Sequence, residues 1–125
     1  MSLPEADVVA ISSAVQELED ALNDPDPTAW VDHYTDDAIF LGHGRPALEG
    51  RDALLAYSAQ MPAVSSLRIE PLDTDGSGDH ATVVANVTAE LGGTTARIRS
   101  LLVWRREADG RWRVAREMLN SGAAE

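Results

Sequence analysis

The chain of 125 residues has no cysteine and no lysine. Without cysteine there are no disulfides and no thiolate chemistry, which fits a reducing compartment, and a cytoplasmic protein is expected. Every basic residue is Arg, which reads as compositional bias. Residues 1–25 lack both a basic segment and an uninterrupted apolar run, so neither a signal peptide nor a membrane span is expected. No two of the three histidines stand at ligand spacing, so neither a metal nor a cofactor is expected. Positive charge is scarce: residues 1–60 hold 12 acids against Arg45 and Arg51, and the formal net charge is −11. Such a surface repels phosphate backbones and anionic lipid, which argues against nucleic acid and membrane as partners.

The length suits one domain over residues 1–125, with a core that needs no staples. Val8, Ile11, Val15, Leu18 and Leu22 recur at helical spacing and predict a helix over 4–22, with Pro4 at its first position. The run Asn23-Asp24-Pro25-Asp26-Pro27 breaks it. Asp26 then caps a short second helix that begins at Pro27, on which Trp30 and Tyr34 lie four apart and share a face. A short strand over 38–41 and a Gly/Pro-bearing loop follow. A third helix is expected over 51–60, ended by Met61-Pro62.

From residue 67 the pattern becomes one of strands, roughly 67–73, 80–91, 94–106 and 111–120. Gly92-Gly93 suits a two-residue hairpin pairing Leu91 with Thr94. Glu107 through Arg111 suits a type I turn with a left-handed glycine, pairing those two end residues. Strict alternation outward from both turns assembles one apolar face. It holds Ala81, Val83, Ala85, Val87 and Ala89, then Ala96, Ile98, Ser100, Leu102 and Trp104, then Trp112, Val114, Arg116, Met118 and Asn120. The helices are expected to cover this face. Its very small residues imply either close helix approach or a cavity. Ser100, Arg116 and Asn120 form its one polar corner, and it carries no carboxylate; Glu117 falls on the opposite face. That outer face has an apolar centre of Val84, Leu101, Val103, Ala115 and Leu119, which reads as a homodimer interface.

Three segments carry a resemblance. Trp30 through Phe40 resembles the helix-to-strand signature of the nuclear transport factor 2-like superfamily. Leu48-Glu49-Gly50-Arg51-Asp52-Ala53-Leu54 is similar to the turn that opens its third helix. Leu101 through Arg106, followed by Asp109 through Val114, resembles the last hairpin of its SnoaL-like and ketosteroid isomerase-like branches. The resemblance implies a cystatin-like α+β cone, in which a strongly curved mixed/antiparallel sheet packs three N-terminal helices in its concave face. It also implies a pocket for a small molecule and frequent dimerisation through the sheet. The ketosteroid isomerase residues do not carry over: its general base falls at Gly42, its oxyanion-hole Tyr at Leu18 and its protonated Asp at Leu102. Where related branches place a His on the last strand, this chain has Arg116 and Met118.

Two readings stay open at this point. One is an enzyme of the isomerase, cyclase or dehydratase kind, moving a proton on a largely apolar substrate. Its catalytic candidates are Tyr34, aimed at the cavity, His43, at the pocket mouth, and Arg116, as an anchor for a carboxylate or enolate. The other is a non-catalytic ligand-binding or dimerisation module. In both, Trp30, Phe40, Tyr57, Ser100, Leu102, Trp104, Trp112, Met118 and Asn120 are expected to line the pocket. Asp36 and Asp37, though adjacent, are expected to diverge and serve the turn.

Overall fold

The computed structural model describes residues 3–24, 26, 28–60 and 65–121. The apolar stripe of the first segment forms helix α1, Glu5–Leu22, with Ile11, Val15 and Leu18 buried and Glu5 and Asp7 in its first turn, where they complement the helix dipole. Helix α2 is a single turn, Thr28–Val31, entered through Asp26, whose carboxylate accepts hydrogen bonds from the Thr28 N–H at 2.9 Å and hydroxyl at 2.8 Å. Strand β1 spans Tyr34–Leu41, β2 is Leu48–Glu49, and helix α3 is Arg51–Ser58. The long strands follow as β3 Ser66–Ser77, β4 His80–Leu91, β5 Thr94–Arg106 and β6 Trp112–Ser121. Pro27 as the first residue of the second helix and Met61-Pro62 as the end of the third lie outside the described residues.

Among the described residues, six strands join one sheet in the order β2-β1-β6-β5-β4-β3, antiparallel throughout except for the parallel β1–β6 pair. The sheet is therefore mixed, and the architecture is the α+β arrangement anticipated. Both hairpin registers hold as well. Leu91 pairs with Thr94 across Gly92 and Gly93, whose φ values of 55° and 86° are what a two-residue turn between right-twisted strands requires. Glu107 donates its N–H to the Arg111 carbonyl at 2.9 Å.

Tyr34 corrects one expectation. The second helix ends at Val31, so Tyr34 is the first residue of β1 and shares no helical face with Trp30. The two rings still meet edge to face, with centroids 5.1 Å apart.

Helix α1 also protects the sheet's free edge. The outward-pointing N–H groups of Leu67 and Ile69 on β3 donate to the side chains of Asn23 and Glu19, both at 2.7 Å, and the Asn23 amide returns a bond to the Leu67 carbonyl at 2.8 Å. Two side chains one helical turn apart thus occupy ladder positions that another chain would otherwise fill.

The β3–β4 hairpin depends on Gly76. Its φ of 154° is open only to glycine, and a Cβ there would stand 2.3 Å from the His80 carbonyl oxygen. Gly76→Ala is therefore expected to destabilise the fold by roughly 1–3 kcal/mol, a shift of the urea midpoint that Gly44→Ala, in open space, does not match in size. Equal midpoints for the two variants would contradict this reading.

Candidate functional site

The inner face of the sheet tapers. Along β5 the inward side chains run Trp104, Leu102, Ser100, Ile98, Ala96, and each faces a small partner on β4, from Ala81 opposite Trp104 to Ala89 opposite Ala96. At the wide-residue end Trp104 is fully buried, and Trp112 is buried under the Arg106 guanidinium, which lies 5.1 Å from its ring centroid. Arg106 is tied in turn to Asp7 of α1 at 2.8 Å. At the other end, among the described residues, nothing comparable fills the space, and a cavity of about 540 Å³ remains between the sheet and the C-terminal half of α1. Its volume is in the range of small-molecule sites.

The walls are mainly aliphatic and aromatic, from Leu18, Leu22, Phe40, Val87, Ile98 and Leu119 among others. Of the residues expected to line a pocket, Trp30, Phe40, Tyr57, Ser100 and Leu102 do so. Trp104 and Trp112 do not; they plug the opposite end of the hollow. Met118 and Asn120 are also absent from the lining and are exposed on the sheet's outer side.

The reason is one extra residue. From the turn the β5–β6 pairing runs as anticipated to Trp104–Val114, but the next pair is Val103–Arg116, which leaves Ala115 unpaired in a bulge. Beyond a bulge every side chain changes face. Arg116 therefore points away from the pocket, and its guanidinium donates to the backbone carbonyls of Asp37 and Ala115 at 3.2 and 2.7 Å. The anchor role expected of Arg116 inside the pocket is corrected by this flip, as is the inward placement of Met118 and Asn120. Leu119, expected outside, lines the cavity, and Ala115 is buried. His43 lies exposed in the loop after β1 and does not reach the lining.

The flip brings Glu117 inside. It pairs with Leu102 on β5 and Phe40 on β1, both apolar. Its Oε1 accepts the hydroxyl proton of Tyr34, and Ser100 donates to Oε2 at 3.4 Å. Tyr34 is itself buried at the start of β1, so the three polar groups form the floor of a mainly apolar cavity, whose other polar lining residues are Asn23, Asp24 and Ser58. Burial pushes the Glu117 carboxyl up to about 7, against the pull of the Tyr34 and Ser100 hydrogen bonds, which favour the charged form. Burial and the neighbouring carboxylate hold the Tyr34 phenol well above its ordinary value, so it stays protonated.

The adjacent acids of β1 serve structure and point apart. Asp36 pairs with Arg51 of α3 at 2.9 Å, and Asp37 pairs with Arg105 of β5 at 2.7 Å. The Arg105 bond, joined by that of the Thr35 hydroxyl, lowers the Asp37 carboxyl to about 2. Among the described residues, no three His, Asp or Glu side chains converge as a metal site would need. Among the same residues, no helix is long and apolar enough to cross a membrane.

A curved sheet over a long helix, with one acid on the floor of an apolar pocket, defines a class of α+β pocket proteins. Residues 15–115 match the SnoaL-like domain family, and the chain belongs to it. Among solved structures it is similar to a ketosteroid isomerase-like protein from Erwinia carotovora atroseptica, with 27% identity and a TM-score of 0.84 over 97% of this chain and 100% of that one. A Nostoc punctiforme domain of unknown function with a cystatin-like fold superposes with a TM-score of 0.83 at 18% identity, over 98% of this chain and 81% of that one. An NTF2-like protein of unknown function from Pseudomonas putida gives 0.79 at 17% identity, over 98% and 91%. These likenesses establish the nuclear transport factor 2-like, cystatin-like cone. No curated protein matches the chain.

The raised acid has a consequence for stability. Between its ordinary value of 4.5 and about 7, the folded chain holds a proton at Glu117 that the unfolded chain releases. The stabilisation is complete below the lower value and is lost as pH rises through the upper one, an effect of about 3 kcal/mol. Urea titrations of wild type and Glu117→Gln should therefore diverge across this window, the wild type losing that amount relative to the variant. Parallel curves would place Glu117 in an ordinary, hydrated setting.

Proposed function

We propose that this protein is an enzyme that binds a largely apolar small molecule in the pocket and moves a proton on it, with Glu117 as general acid–base and Tyr34 as the hydroxyl beside it. The observation that carries this reading is a buried carboxyl poised near neutral pH, held by two hydroxyls on the floor of a mainly apolar pocket. A group whose pKa lies near the working pH combines a usable basic fraction with driving force for transfer.

The chemistry that suits these groups is abstraction of a proton from carbon next to a carbonyl. The C–H bond breaks as its proton bonds to a Glu117 oxygen, its electron pair becomes the C=C bond of an enolate, and the carbonyl π pair moves to the carbonyl oxygen. The Tyr34 hydroxyl, freed from Glu117 once that oxygen is protonated, turns to the developing oxyanion. Return of the proton to another carbon completes an isomerisation without any oxidant or reductant. The likeness to a protein called ketosteroid isomerase-like supports this direction, although Gly42, Leu18 and Leu102 offer no ionisable group for that enzyme's own arrangement.

A panel of apolar ketones, from aryl ketones to steroids, incubated in deuterated buffer tests the reading by the loss of α-proton NMR signals. Exchange is expected for at least one ketone, falling by roughly 10²–10⁴-fold in Glu117→Gln. No exchange across the panel, or an unchanged rate in the variant, would leave a binding protein without this chemistry.

A second reading concerns assembly. On the convex face Leu41, Met118, Leu101 and Val84 pair in one row across four strands, and Met118 is 52% exposed. We assign this stripe to a homodimer interface, since it is an apolar centre on a strongly charged surface. Sedimentation should show a dimer at micromolar concentration and a monomer for Leu101→Arg; a monomeric wild type would refute the assignment. A cytoplasmic setting is proposed on the cysteine-free sequence.

A further inference from the structure

Among the described residues, no basic side chain pairs with Glu117. Its two hydrogen-bond partners, Tyr34 from β1 and Ser100 from β5, are neutral. Its cross-strand neighbours, Phe40 and Leu102, are apolar. From the helices packed over it, the pocket receives Leu18 and Ala21 of α1, Trp30 of α2 and Tyr57 of α3, none of them basic. The described lining contains no Arg, Lys or His; its only other acid is Asp24, just past the end of α1. Arg45 lies outside this lining, with its guanidinium 5.6 Å from the Tyr57 ring centroid.

Hydrogen-bond arithmetic sharpens the point. When Glu117 is ionised, both hydroxyls spend their single protons on it, so the floor offers a ligand acceptors and no donor. A buried carboxylate without a cation is an uncompensated charge whose desolvation has already been met by folding. A ligand that brings a positive charge and N–H donors gains that interaction while meeting only its own desolvation. A carboxylate ligand meets repulsion from the floor, from Asp24 and from a chain of net charge −11.

We infer that the pocket selects hydrophobic cations, so that the ligand class it favours is an apolar body of one or two rings carrying a single protonated amine. This goes beyond the proton-transfer reading and shares with it only the inward placement of Glu117.

Titration calorimetry with naphthylmethylamine, naphthylmethanol and naphthoate tests the inference, since the three probes share a body and differ in charge. At about pH 8.5 the amine should bind roughly tenfold or more tightly than the alcohol, a difference of about 1.4 kcal/mol, and naphthoate weakest. Below about pH 6 the preference for the amine should shrink as Glu117 takes up its proton. Glu117→Gln should erase the preference while still binding the alcohol, which also shows that the variant is folded; Asp24→Asn should keep it. Equal binding of amine and alcohol, tightest binding of naphthoate, loss of the preference in Asp24→Asn instead, or no binding of any probe at millimolar concentration would each overturn the inference. The ketone exchange assay uses no amine, so failure of either proposal is seen without the other.

Discussion

A single unpaired residue in the last strand determines what the pocket can do. Ala115 interrupts the β5–β6 ladder between the Trp104–Val114 and Val103–Arg116 pairs. Without it, strict alternation would send an arginine into the hollow and a glutamate into water. With it, the guanidinium of Arg116 reaches backbone carbonyls at the surface, and the carboxyl of Glu117 enters the pocket floor. Bulges bend and twist a strand as well as re-aiming its side chains, so the same residue serves both the curvature of the sheet and the chemistry of its concave side.

Around that residue the sheet divides its hollow in two. Trp104 and Trp112 fill the space under the start of α1, where their burial contributes about 2–3 kcal/mol each. The side chains then shrink toward Ala96 and Ala89, and the space they leave is the cavity. Stability and vacancy come from one taper. The filled end packs the core, and the open end holds a polar cluster whose burial the fold tolerates mainly in the protonated state.

Much of this was legible in the residues. Gly92-Gly93 and the Asp109-Gly110 turn placed three strands in register, and the small residues of β4 marked a hollow that could be open. The inward residues up to Trp104 and Val114 followed from alternation alone. Past Val114 alternation fails, because a bulge has no fixed sequence signature. A signal was nonetheless present. Unbroken alternation put Arg116 inside with no acid on its face and left Leu119 outside, and a slip of one residue resolves both conflicts by bringing in Glu117 and Leu119. Tyr34 lines the cavity, and its contact with Trp30 arises between a helical turn and a strand rather than along one helix.

The central claim is that Glu117 sits inside the pocket as an acid that titrates near neutrality, and its carboxyl carbon reports on this directly. In protein labelled with ¹³C at the glutamate side-chain carboxyl, one resonance, assigned by its loss in Glu117→Gln, should titrate with a midpoint of about 7. A midpoint for that resonance near the ordinary value of 4.5 would contradict the account, because a hydrated carboxylate on the outer face is what unbroken alternation would have produced.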